Sequence, residues 1–127
     1  MNKINRINAE DAPAAVGPYC HVVTYGDMVF TSGQIPLDAS TGEVVPGGIT
    51  EQTEQVIKNL KLVLEAAGSN LDNVLKTTCF LHDMADFAKF NAVYANHFSK
   101  KPARSCVAVK TLPMNVLCEI EVVAVKI

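Results

Sequence analysis

Apolar positions along the chain follow two rhythms. Ile49, Thr53, Val56, Ile57, Leu60, Val63, Leu64 and Ala67 recur at steps of three and four, which predicts a helix with one buried face. Thr50 is placed to cap its start and Gly68 to close its end, and Glu54 and Lys58 form an i,i+4 pair on the opposite face. A second helix is predicted from about Asp86 to Phe98, with Phe87, Phe90, Tyr94 and Phe98 on one face and Pro102 marking the exit. Elsewhere β-branched residues dominate in shorter runs. His21 to Tyr25 and Met28 to Ser32 read as strands joined by the hairpin signal Gly26-Asp27. Turn chemistry at Asp38–Gly42 and Pro46–Gly48 marks the loop before the first helix. Val74 to His82, Arg104 to Val109 and Val116 to Ile127 complete the strands, the last two separated by a turn at Pro113-Met114-Asn115. The order is ββαβαββ: one α+β domain over residues 1–127, with a mixed sheet and right-handed crossovers.

The last strand has a quaternary consequence. Cys118, Ile120, Val122 and Ala124 share one side of it, Glu119, Glu121, Val123 and Val125 the other. Apolar residues on both sides predict that both are covered. Two helices cover one face of the sheet, so the other would be a bare apolar patch in a monomer. A closed homo-oligomer with its sheets facing inward is expected.

Charge narrows the function classes. The formal net charge is −2, without a basic stripe, which argues against nucleic acid as the main partner. The start, Met1 to Arg6, has no apolar core of a secretory signal and no run is long enough to span a bilayer, so a cytoplasmic protein is expected. Cys20, Cys79, Cys106 and Cys118 show no C-x-x-C spacing and read as reduced, mostly buried thiols. His21, His82 and His97 are scattered, with no H-x-x-x-H or H-x-E pattern, so a metal site is not expected.

Fixed charges inside apolar strands are the candidate chemistry. Arg104 cannot deprotonate and must find an anion. It is either half of a structural ion pair with Glu119 or a carboxylate clamp. Cys106 lies two residues on, on the same side of the strand, and reads as an inert core thiol or, with a neighbouring base, a nucleophile. Tyr19 follows the rigid Gly17-Pro18 turn, Ser32-Gly33 ends a strand with small residues, and Asn91 interrupts the apolar face of the second helix. Each has a plainer reading as well: packing, turn formation, or a local hydrogen bond. No serine-hydrolase elbow, phosphate loop or dinucleotide fingerprint is present.

Several words in order carry a resemblance over essentially the whole chain: Ala14–Tyr19 (AAVGPY), Phe30–Pro36 (FTSGQIP), Thr41–Val44 (TGEV), Phe87–Tyr94 (FAKFNAVY), Pro102–Val107 (PARSCV) and Glu119–Val125 (EIEVVAV). The chain resembles the Rid family of reactive intermediate deaminases, also called the YjgF family. The resemblance implies a chorismate-mutase-like fold and a homotrimer with a central barrel and three clefts between subunits. It implies hydrolysis of enamines and imines of the 2-aminoacrylate type to 2-keto acids and ammonia. By the same resemblance Arg104 binds the substrate carboxylate and Glu119 activates water, with Tyr19, Ser32 and Asn91 shaping the pocket. The backbone around Gly33 and Cys106 supplies polar contacts. Three features depart from the family pattern: His21 where Gln is frequent, Cys118 where an aliphatic residue is usual, and a short Ser99–Lys101 connection near Arg104.

Overall fold

The computed structural model describes residues 3–127. Six strands form one sheet: β1 (Ile4–Ile7), β2 (Val22–Tyr25), β3 (Met28–Thr31), β4 (Val74–Leu81), β5 (Ala103–Ala108) and β6 (Cys118–Val125). Their spatial order is β1-β2-β3-β6-β4-β5. Only β4 and β5 run parallel; every other neighbouring pair is antiparallel. Two helices, α1 (Ile49–Ala66) and α2 (Phe87–His97), pack on one face.

The order is therefore βββαβαββ, one strand more than the expected ββαβαββ. The extra strand is β1, an edge strand whose first three side chains are exposed, so no apolar alternation betrays it. Backbone pairing with β2 holds it, from Ile4 opposite Tyr25 to Ile7 opposite Val22. The other elements lie within a residue or two of their expected limits.

Helix α1 buries the stripe that its spacing predicts. Val56, Ile57, Leu60, Val63 and Leu64 are all fully buried, each burial contributing about 1.5–3 kcal/mol. Its start departs from expectation. Gly48, not Thr50, is the N-cap, and the Glu51 side chain reaches back to accept from the Gly48 N–H at 2.7 Å. Its end is closed by Gly68 at φ 78°, where the Ser69 N–H donates to Leu64 O at 2.9 Å and the Gly68 N–H to Glu65 O at 3.0 Å. That paired arrangement demands the left-handed conformation that glycine adopts without penalty. Glu54 is taken up not by Lys58 but by His97 on α2, at 2.9 Å.

On β6, Cys118, Ile120, Val122 and Ala124 are buried beneath the helices, while Glu119, Glu121, Val123 and Val125 face the open side. Phe30, Tyr25 and Val107 stand 43%, 51% and 46% exposed, and strand register places them on that same open side. An apolar face of this breadth is unusual for a monomer. All four cysteines are free thiols, with Cys79 and Cys118 buried. Among the described residues no helix is long and apolar enough to cross a membrane.

Candidate functional site

The Arg104 environment is built by β5 and α2. Parallel pairing sets Arg104 beside Thr77 on β4, under the helices. Thr77 is fully buried and shares a 2.8 Å hydrogen bond with the Tyr94 hydroxyl, which anchors α2 over this part of the sheet. The Arg104 guanidinium then lies 4.8 Å from the Tyr94 ring centroid and 5.5 Å from that of Phe87. Its Nη1 donates to Asn91 Oδ1 at 2.8 Å. Asn91 interrupts the apolar face of α2 because it holds this cation. Among the described residues no carboxylate pairs with Arg104; the one ion pair joins His97 and Glu54. With one of five donors spent on Asn91, the fork keeps its capacity for a planar anion. A cavity of about 320 Å³ opens here, lined by Arg104, Asn91, Tyr94 and Phe98 and by Ser99, Lys101 and Pro102 of the short connection. Lys101 takes a left-handed φ of 54° to make that turn.

Cys106 points to the same side, half-buried. Burial pushes its thiol up, only partly offset by the Arg104 charge. The neutral thiol is therefore favoured over the nucleophilic thiolate.

The Glu119 environment depends on a bulge. Met28, Val29 and Phe30 pair with Val125, Ala124 and Val123, yet Gln34 pairs with Ile120. One extra residue is thus accommodated between Phe30 and Gln34. The Thr31 hydroxyl fills the gap in the ladder by accepting from the Val122 N–H at 3.0 Å. Ser32 is turned back, its hydroxyl donating to Cys20 O at 2.7 Å and its N–H to His21 O at 2.9 Å. Gly33 then passes directly over the Glu119 carboxylate. A Cβ there would overlap Oε2 and lie 2.8 Å from Cδ. Space, not an unusual dihedral, sets the constraint at this position: any side chain would push the Glu119 carboxylate aside.

Burial raises the Glu119 carboxyl above its ordinary 4.5, and the like charge of Glu121 adds to the rise. A shielded carboxylate with a raised pKa is suited to taking a proton from water. Tyr19 closes the far wall. A tight turn over Pro18 brings the Tyr19 N–H to Gly17 O at 2.9 Å, and its hydroxyl accepts from the Val16 N–H at 3.4 Å. The resulting cleft, about 330 Å³, is lined by Val16, Tyr19, Ser32, Gly33, Ile35, Pro113 and Glu119.

The candidate residues thus form two half-sites. Arg104, Asn91 and Cys106 lie on the helix side of the sheet; Glu119, Gly33, Ser32 and Tyr19 lie at the open side. Arg104 sits in the row of Thr77 and Val122, whereas Glu119 sits three residues along, in the row of Phe80 and Val107. An ion pair between Arg104 and Glu119 within one chain is therefore ruled out. Tyr94 and Phe98 in one half, and Val16, Ile35 and Pro113 in the other, were not among the candidate site residues, and Lys101 entered only through the short Ser99–Lys101 connection. Tyr94, Phe98 and Ile35 pack and Pro113 turns the chain, while Val16 is largely exposed at the cleft rim; the placement of each depends on tertiary structure. A larger cavity of about 550 Å³ runs along α1, but its Glu54, Lys61 and His97 already contact one another at its wall.

Three comparisons bear on this arrangement. A family model described as endoribonuclease L-PSP matches residues 9–126. The chain is 47% identical over 124 residues to the 2-iminobutanoate/2-iminopropanoate deaminase of Escherichia coli K12, covering 94% of this chain and 96% of that protein. Among solved structures, the yeast protein YEO7 superposes with a TM-score of 0.95 at 45% identity, covering 98% of this chain and all of the other. Escherichia coli TdcF with bound serine superposes with a TM-score of 0.91 at 42% identity, covering 97% and 99%.

Proposed function

Since this chain belongs to the YjgF/Rid family, we propose that it is a cofactor-independent hydrolytic deaminase of reactive imines and enamines of small 2-amino acids. The observation that carries the reading is the pairing of an anion-seeking guanidinium, held by Asn91 and two aromatic rings, with a shielded, proton-accepting Glu119. The two half-sites face opposite sides of one chain, so a complete cleft takes Arg104 from one subunit and Glu119 from another. A homotrimer with the open sheet faces lining a central barrel satisfies that requirement and covers the exposed Phe30, Tyr25 and Val107. The Escherichia coli deaminase named above supports the reaction class, and the serine held by TdcF, an α-carboxylate ligand, supports the clamp.

In this reading the substrate carboxylate docks bidentately on Arg104. An enamine first takes a proton from solvent on carbon and becomes the protonated imine, the form that water attacks. Water attacks the imine carbon as Glu119 takes one of its protons. The carbinolamine then collapses: Glu119 returns its proton to the nitrogen, the hydroxyl electron pair forms C=O as the C–N bond breaks, and the hydroxyl proton leaves through the freed Glu119 carboxylate to solvent. The products are a 2-keto acid and ammonia. Cys106 forms no bond in this sequence.

The test generates imines in situ with an amino-acid oxidase and times ammonia release with and without the protein. Release faster than the spontaneous rate is expected, fastest for small side chains. Unchanged release across several amino acids, with a 2-keto acid still bound, would favour a carboxylate-binding regulator instead.

A further inference from the structure

His21 is only 3% exposed, at the entry to β2. Its Nδ1 accepts from the Ala9 N–H at 2.9 Å, and its own backbone N–H donates to Asn8 Oδ1 at 3.1 Å. An Nδ1 that accepts cannot carry a proton, so the ring proton of the neutral imidazole sits on Nε2. That Nε2 is buried and has no hydrogen-bond partner among the described residues. Orphaned buried donors are rare, and an ordered water is the usual partner when room exists.

Room exists. His21 lines a cavity of about 20 Å³ together with Tyr19, Gly33 and Gln34. A single water needs roughly 10–15 Å³ of such space and two or more polar partners. Gln34 is 6% exposed and spends its Nε2 on Ser32 O at 3.3 Å, which leaves its Oε1 as an acceptor. The Tyr19 hydroxyl, accepting from Val16 N–H, keeps its own proton to donate. Val16, Tyr19, Gly33 and Ile35 line both this cavity and the Glu119 cleft, so the two spaces share a wall.

We propose that this cavity is a binding site for one resident water, held by His21 Nε2–H, and that through it His21 is a positioning residue for the Glu119 half-site. The water accepts from His21 and donates to Gln34 Oε1, which leaves it one proton and one lone pair towards the Tyr19 wall. It thereby fixes Tyr19 and the Gly33 turn, and with them the position in which Glu119 meets the hydrolytic water. The positioning role rests on the deaminase reading; the water site does not.

The water is tested on the wild-type protein alone. A high-resolution crystal structure should show one density peak within 3.2 Å of His21 Nε2, and ¹⁵N NMR should show the proton on Nε2. An empty cavity, or the proton on Nδ1, overturns the site. The positioning role is tested with His21→Phe, which removes the donor, and His21→Gln, which supplies one. His21→Phe should lower kcat for imine hydrolysis about tenfold with little change in KM, and His21→Gln should recover much of the loss. Equal kcat in all three proteins, or a loss in both variants without rescue, overturns the positioning role. Should His21→Phe fail to fold, His21→Leu, which also lacks a donor, takes its place in the same three-way comparison with wild type and His21→Gln. A wild-type protein that holds the water but hydrolyses no imine overturns the deaminase reading and leaves the water site standing.

Discussion

Arg104 is held at three points, by Asn91 and by the rings of Tyr94 and Phe87, and each depends on the planarity of the guanidinium. Lysine keeps the charge but neither the fork nor the stacking surface. Arg104→Lys is expected to lower kcat/KM for imine hydrolysis about 10- to 100-fold while leaving the thermal midpoint nearly unchanged, because charge-assisted hydrogen bonds are worth about 1.5–3 kcal/mol. Retention of most of the activity would make the arginine a structural cation. Cys106 gives the contrasting case. Its thiol is pushed up by burial, so Cys106→Ser should keep a substantial fraction of wild-type turnover, and complete loss in a folded variant would point to covalent catalysis. For Glu119 the sign of the pH dependence follows from its surroundings. Burial, then the Glu121 charge, raise its pKa above 4.5, and the base works only when ionised. The acid limb of the kcat/KM profile should therefore lie above the ordinary carboxylate range. Glu121→Gln removes the like charge and should move that limb to lower pH; a limb that stays fixed would show that another group sets it. The same shift means the folded chain holds this proton more tightly than the unfolded one. The stability it contributes is fully present below the ordinary carboxylate pKa and is lost as pH rises through the folded value.

Between Phe30 and Gln34 one inserted residue turns the chain so that Gly33 meets Glu119, and the geometry of the carboxylate is set by that bulge rather than by its own strand alone. Gly33→Ala should displace the Glu119 side chain. Misplacement by about an ångström at a reacting group costs on the order of 100-fold in rate, while stability should change little, read from a urea midpoint, because the carboxylate swings aside rather than the backbone. The loss should not add to that of Glu119→Gln, since both act on one carboxylate, and full additivity of the two changes would separate Gly33 from Glu119. The bulge was invisible beforehand, because Thr31, Ser32 and Gly33 read simply as the polar end of a strand. Helix α1 was legible to within a residue because its apolar stripe has the helical period over five turns. Its cap was not, since Thr50 has a capping side chain while the reciprocal partner of Gly48 is Glu51, three residues on. β1 was missed because an edge strand can be held by backbone bonds alone, and Ile4, Asn5 and Arg6 bury little. The alternation along β6 correctly separated Glu119 from its buried neighbours. Nothing in Ala103–Ala108 told which side Arg104 would take, because that depends on its pairing with Thr77 in a strand from elsewhere in the chain.

For the whole molecule the decisive fact is that Arg104 and Glu119 belong to opposite faces of one sheet. If one chain were enough, its carboxylate clamp and its base would act on different sides of a layer filled with buried Cys79, Ile120 and Val122. A cleft completed by a second copy removes that conflict and gives the exposed apolar face a partner. β5 adds a second reason, since it lies at the end of the sheet with one edge unpaired, a position that usually attracts a covering element. Sedimentation at micromolar concentration should therefore show a trimer. The sharper test is complementation between two inactive variants, Arg104→Ala and Glu119→Gln. On the proposed reading each alone disables every cleft. When the two are unfolded together at equal concentration and refolded, subunits assemble at random into closed rings. A cleft works when its arginine comes from a Glu119→Gln chain and its glutamate from an Arg104→Ala chain, which happens with probability one half times one half. Activity should return to about a quarter of the wild-type value per cleft. Mixing the folded variants without unfolding should restore little until subunits exchange. A site confined to one chain allows no recovery at any mixing ratio, so the absence of recovery in a properly assembled mixture would overturn the shared cleft.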